Sequence, residues 1–249
     1  MNLNITFLQT DIIWQDPGQN RTRLQQKIER IDHTDLIVLP EMFTTGFSMA
    51  PVDYAETMDG TTVHWMRALA TKQQAVITGS MMTKIASGYV NRLLWVEPDG
   101  NVAFYDKRHL FSLANEHQYY LAGQQQVRFQ LKEWQIAPYI CFDLRFPVWS
   151  RNQVEDPYDL ALYVANWPAP RRLQWQALLK ARAIENQAYV LGVNRVGVDG
   201  NDLSYTGDSQ LIDPLGDVLV HVHQVEQVAQ VSVNKEDLNV IRKQLPFLF

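Results

Sequence analysis

A single cysteine, Cys141, stands in a chain of 249 residues. One thiol can form neither an intramolecular disulfide nor a CxxC metal or redox site, so a reducing compartment is expected. Long apolar runs are also missing: none approaches the 18 uninterrupted residues of a membrane-crossing helix. The opening MNLNITFLQTDIIWQDP alternates like a strand and lacks the basic start and continuous apolar stretch of a secretory leader. These two absences point to the cytoplasm. Positive charge is in deficit, 22 Lys and Arg against 27 Asp and Glu for a net charge of -5, which leaves no broad cationic surface for nucleic acid or anionic lipid. Gly79, Gly88 and the VGVDGND segment form neither GxGxxG nor a loop ending in GK[ST], so no nucleotide is expected. His64, His221 and His223 carry no HExxH spacing, and no metal or other cofactor is expected. What remains is a small-molecule partner.

The chain is otherwise that of an ordinary folded protein, 46% hydrophobic with 7 Trp and 10 Tyr, and residues 1–249 are expected to form one domain. Residues 3–9 and LIVLP at 36–40 predict strands. Between them Leu24, Ile28 and Ile31 recur at helical spacing. TTVHWMRALATKQQ predicts a helix capped near Thr61 or Thr62, followed by the strand AVITGSMM. Pro98-Asp99-Gly100 divides two β-rich runs and predicts an antiparallel hairpin, so the sheets must be mixed. Residues 127–141 predict a second hairpin, and PYDLALYVAN a buried strand ending at Asn166. A helix from near Arg172 to Gln187 places Leu173, Ala177, Leu178, Ala181 and Ile184 on one apolar face, expected to be core. AYVLGVNRV, SQLIDPLGDVLVHVH and VAQVSV add further strands, and the tail from Lys235 a short helix. Polar-faced helices covering hydrophobic strands predict a layered α/β sandwich.

In such sheets reactive groups gather just past the carboxyl ends of strands. Three strand ends here carry chemistry: Glu41 after LIVLP, Lys107 after VAFYD and Cys141 after IAPYI. Singly, each has an ordinary explanation. Free cysteine is among the most buried side chains, Glu41 fits a loop acid, and Lys107 fits a solvated hairpin residue. Together they supply nucleophilic attack by sulfur on an amide carbon. A free thiol is only a few per cent ionised at neutral pH, and Glu41 can take its proton. The resulting oxyanion can be held by Lys107 and by the backbone N–H of Phe142. Glu41 can return the proton to the leaving amine and then activate water. His109 and His117 lie near Lys107, yet nothing around them follows a Cys-His protease pattern.

LIVLPEMFTTGF, YDKRHLF and ICFDLRFP, in this order and spacing, resemble the nitrilase superfamily of carbon–nitrogen hydrolases with a Glu-Lys-Cys triad. LALYVANWPAP and KARAIENQAYVLGVNRVG extend the likeness over almost the whole chain. The resemblance implies a four-layer α-β-β-α sandwich with mixed sheets, and a homodimer formed through one helical face. It also implies a role for Glu116, in ANEHQYY, in positioning Lys107 or relaying a proton. YDKRHLF and DLRFPVWSR look most like bacterial omega-amidases, which act on 2-oxo acid amides such as 2-oxoglutaramate and are linked to methionine salvage. Such a substrate carries a carboxylate, for which arginine is suited by its paired N–H donors. Arg171 is the preferred candidate and Arg145 the second. A related amidase acting on deaminated glutathione or an N-carbamoyl compound, and a silent small-acid-binding protein, are the alternatives.

Overall fold

A computed structural model describes residues 1–248. The chain runs β1 (Asn2–Gln9), α1 (Pro17–Ile28), β2 (Leu36–Val38), α2 (Pro51–Tyr54), α3 (Thr61–Gln73), β3 (Val76–Ile85), β4 (Gly88–Val96) and β5 (Val102–Asp106). After a long connection come β6 (Phe129–Leu131), β7 (Trp134–Ile140), β8 (Leu160–Ala165) and α4 (Arg172–Asn186). The last elements are β9 (Tyr189–Asn194), β10 (Val196–Val198), β11 (Ser204–Ile212), β12 (Val218–His223), β13 (Gln227–Asn234) and α5 (Lys235–Gln244).

Local chemistry sets the helix starts. Pro17 brings its fixed φ to the first turn of α1, and the Asp16 carboxylate accepts the Gln19 N–H at 2.9 Å. For α3 the cap lies earlier than the sequence suggests. Gly60 is the N-cap, and because it has no side chain the acceptor is the Glu56 carboxylate, 2.7 Å from the Thr62 N–H.

The strands form two mixed sheets. One has the order β13-β1-β2-β3-β4-β5, with β1, β2 and β3 mutually parallel. The other has the order β10-β11-β9-β8-β7-β6, with β12 also on β11 and with β7, β8 and β9 parallel. Period-two alternation divides each strand between two apolar neighbours. Leu3, Ile5 and Phe7 of β1 pack into the core between the sheets with Ile136, Tyr139 and Leu162, whereas Leu8 packs with Leu24, Ile28, Val63 and Met66 of α1 and α3. Helices therefore cover the outer face of each sheet, giving the four layers α-β-β-α. Among the described residues no helix is long and apolar enough to cross a membrane.

Helix α4 corrects one expectation. The residues it buries are Trp175, Leu179, Arg182, Ala183 and Asn186. Leu173 and Ile184 of the face expected to be core are 71% and 49% exposed. Apolarity alone selected the wrong stripe because the polar members of the inner one find partners there. Arg182 donates to the Leu144 carbonyl at 2.7 Å, Asn186 to the Arg182 carbonyl at 2.9 Å, and the Trp175 indole to the Asp208 carbonyl at 2.8 Å.

Gly192 lets α4 approach β9: a Cβ there would lie 2.7 Å from the Trp175 ring and closer still to a Leu179 methyl. Gly192→Ala is expected to destabilise the protein by about 1–3 kcal/mol through overpacking. Urea unfolding should show a lower midpoint at unchanged slope; an unchanged midpoint would contradict the packing.

Candidate active site

Glu41, Lys107 and Cys141 come from different strands and meet where the two sheets end. Glu41 follows β2 and is fully buried. Asn91 of β4 donates to its Oε1 at 2.8 Å, and the Asn166 N–H, just past β8, donates to its Oε2 at 2.8 Å. The Asn166 side chain also donates to the Glu41 carbonyl at 2.6 Å, so both the carboxylate and its backbone are fixed.

Lys107, directly after β5, is 0% exposed. Its backbone N–H pairs with the Asn91 carbonyl at 2.9 Å. Its Nζ donates to Glu41 Oε1 and to both Glu116 oxygens, each at 3.0 Å. Glu116 opens a single 3₁₀ turn in the β5–β6 connection and also accepts the Phe111 N–H at 2.6 Å. Burial opposes a charge on Lys107, but attraction to Glu116 and Glu41 outweighs it, and the pKa rises above the ordinary lysine value. The ammonium stays protonated throughout the working range. Burial also raises the Glu116 pKa; the Glu41 charge adds to this and Lys107 opposes it.

Cys141 begins a 3₁₀ helix, Cys141–Arg145, straight after β7, and has φ 44°. This left-handed backbone is uncommon for a residue with a Cβ. Its Sγ lies 4.0 Å from the carbonyl of Asn166, the residue that also holds the Glu41 carboxylate. Burial first and the Glu41 charge second push the thiol pKa up, with Lys107 pulling the other way. The resting group is a neutral thiol. The Phe142 N–H, in the first turn of this helix, has no intrahelical acceptor and is available to a bound oxygen.

These charges determine which proton can move. The buried set holds one cation, Lys107, and two carboxylates. Passing the thiol proton to Glu41 leaves the net charge unchanged, whereas Lys107 already holds its proton. Glu41 can thus act as base to sulfur while Lys107 offers an N–H donor and positive charge to an oxyanion.

Cys141 and Lys107 line a cavity of about 500 Å³ whose walls include Phe47, Phe111, Trp167 and Tyr205. Both arginines singled out from the sequence, Arg171 and Arg145, line it as well. Arg171 lies over the Phe111 ring at 5.2 Å and Arg145 over the Trp167 ring at 5.0 Å. Among the described residues neither makes an ion pair. His117 is exposed, and the His109 ring faces Asp143 at 2.8 Å. His221 and His223, distant from any motif, converge on Asp208. One Asp208 oxygen accepts from His223 at 2.8 Å, Gln176 at 2.9 Å, His221 at 3.1 Å and Arg172 at 3.2 Å.

Asn91, Asn166 and Asp143 escaped the sequence reading. Asn166 ends a strand, as the three reactive residues do, so its position was a usable signal. Asn91 interrupts the apolar strand β4, and its relation to Glu41 is visible only once β4 is placed.

Comparison with known proteins places the chain in a family. Residues 4–243 match the carbon–nitrogen hydrolase family, and the chain belongs to that family. Omega-amidase YafV of Escherichia coli strain K12 is 52% identical over 93% of this chain and 90% of its own. The 2-oxoglutaramate amidase of Bacillus subtilis is 33% identical over 99% and 96%. XC1258 from Xanthomonas campestris, a CN-hydrolase superfamily protein solved with an arsenic adduct in its active site, superposes with a TM-score of 0.97. It is 46% identical, covering 100% of this chain and 96% of that one.

The raised pKa of Cys141 has a direct readout. Alkylation by iodoacetamide follows the thiolate, so its rate should still climb above pH 9.0, the ordinary thiol value, without levelling off. A plateau below pH 9 would contradict a half-buried neutral thiol. The raised values of Cys141 and Lys107 favour the folded state fully below 9.0 and 10.5, and that stabilisation is withdrawn as pH rises past them.

Proposed function

We propose that residues 1–249 form a single carbon–nitrogen hydrolase domain acting as an omega-amidase. It would cleave the terminal amide of 2-oxo dicarboxylic acid monoamides, such as 2-oxoglutaramate and 2-oxosuccinamate, to the 2-oxo acid and ammonia. The observation that carries this reading is the Cys141 thiol beside the buried Glu41–Lys107–Glu116 cluster, at a cavity that also presents two arginines with no carboxylate partner among the described residues. The names of the relatives at 52% and 33% identity support the choice of substrate.

In this mechanism Glu41 takes the thiol proton as Sγ attacks the amide carbon. The oxyanion is held by the Phe142 N–H and by Lys107, which Glu116 keeps aimed. Collapse breaks the C–N bond, and Glu41 gives its proton to the departing nitrogen, leaving a thioester on Cys141. Glu41 then deprotonates water, which attacks the thioester, and the returning proton restores the thiol. No cofactor takes part. Arg171 binds the distant carboxylate, with Arg145 as the second donor. The exposed apolar stripe of α4, Leu173, Ala177 and Ile184, supports a homodimer formed through this helical face.

Ammonia release should be fastest with 2-oxoglutaramate in a panel that includes deaminated glutathione and N-carbamoyl amino acids. No preference for it would overturn the substrate assignment while leaving the chemistry standing. Arg171→Ala should raise KM by about 10–100-fold with little change in kcat, as loss of a charge-assisted bond to the substrate requires. An unchanged KM would exclude Arg171 as the carboxylate ligand.

A further inference from the structure

The left-handed backbone of Cys141 is strained and persists only where surrounding contacts impose it. The contacts that impose it converge on Asp143, two residues further on, whose side chain is fully buried. Its Oδ2 reaches back across Cys141 to accept the Ile140 N–H at 3.0 Å. The same oxygen accepts the Tyr105 hydroxyl at 2.8 Å, and the Trp149 indole N–H donates to that hydroxyl at 3.0 Å. The other oxygen accepts from the His109 backbone N–H at 2.9 Å and lies 2.8 Å from His109 Nδ1.

Four donors therefore meet one carboxylate, and they belong to the two chain segments the reaction needs together. Ile140 immediately precedes the nucleophile. Tyr105 and His109 bracket Lys107, two residues away on either side. A carboxylate can only accept, so the Nδ1 of His109 carries the hydrogen. The His109 ring is clamped in place, stacked 3.7 Å from Phe146 at 5° and edge-on to Trp149 at 5.9 Å. Tyr105 is itself held as a neutral donor, since burial and the Asp143 charge raise its pKa well above the ordinary value.

We infer that Asp143 is a positioning residue for the amidase reaction. It locks Cys141 in the conformation that aims its thiol at the amide carbon and the Phe142 N–H at the amide oxygen, and it ties that turn to the segment carrying Lys107. Asp143 acts through its neighbours and takes no proton from the substrate. The inference rests on Cys141 being the nucleophile. A single carboxylate thus sets the distance between sulfur and the oxyanion donors.

Asp143→Asn keeps the shape but must turn its N–H₂ group toward the backbone N–H of either Ile140 or His109, neither of which can accept. In the full chain, kcat should fall by about a hundredfold, the scale of a 1 Å misplacement, with KM within about threefold. The pH profile of iodoacetamide alkylation at Cys141 should shift as the thiol moves relative to the Glu41 and Lys107 charges that act on it. Alkylation needs no amide substrate, so it tests Asp143 even where the substrate assignment fails. Ammonia release retained by Cys141→Ala would instead overturn the nucleophile reading itself. A folded Asp143→Asn enzyme with kcat within threefold of the parent and an unshifted alkylation profile would refute positioning. His109 gives a test that does not depend on that variant folding. His109→Ala should lower kcat about tenfold, the scale of one lost hydrogen bond to a charged group. His109→Gln, which keeps an N–H for Asp143, should recover most of that loss; equal losses in the two variants would also refute the inference.

Discussion

Lys107 is wholly removed from water, and the site depends on how that charge is held. Transferring an ammonium and two carboxylates out of solvent costs several kcal/mol for each ion, and only close contacts with every polar atom satisfied offset it. Three N–H···O contacts of 3.0 Å from Nζ supply part of this offset. The Asn91 and Asn166 donors on Glu41 and the Phe111 N–H on Glu116 supply the rest. Removing either carboxylate would leave the other groups mismatched in a low-dielectric interior, where an uncompensated charge is most costly. The cluster is therefore a structural unit before it is a chemical one.

This constraint explains the form of the surrounding fold. Glu41 and Lys107 leave the first sheet after β2 and β5, while Cys141 and Asn166 leave the second after β7 and β8. The core between the sheets fixes the distance between the two groups of strand ends, and the polar cluster bridges them. Mixed topology matters here. Antiparallel pairing of β4 with β5 places Asn91 of β4 beside Lys107, joined by the Lys107 N–H to Asn91 carbonyl bond, while the Asn91 side chain reaches Glu41. Burial first and the Glu41 charge second keep the resting sulfur protonated, so in the proposed mechanism the nucleophile is produced when Glu41 accepts the proton.

Much of this was legible in the sequence. The alternation of β1, the turn at Pro98-Asp99-Gly100 and the polar gaps between strands follow from local rules, and those elements form where the pattern places them. Glu41, Lys107 and Cys141 were legible because strand ends are the natural exits for reactive side chains. Glu116, in a short 3₁₀ turn, was not, except through family resemblance, whereas the Phe142 N–H followed from its place directly after the nucleophile although no side chain advertises it. Helix α4 misled because hydrophobicity cannot anticipate that Arg182 and Asn186 find partners inside. Asp143 lay within the motif that identified Cys141, yet its meaning depends on Tyr105 and His109, which are distant in sequence.

The central claim is that Cys141 carries the acyl group while Glu41 moves the proton. Intact-mass spectrometry of enzyme acid-quenched during turnover of 2-oxoglutaramate tests it most directly. The expected result is an adduct on Cys141 with the mass of the substrate less ammonia, absent from Cys141→Ala and from Glu41→Gln. Continued release of ammonia with no added mass at Cys141, and undiminished in Cys141→Ala, would contradict it.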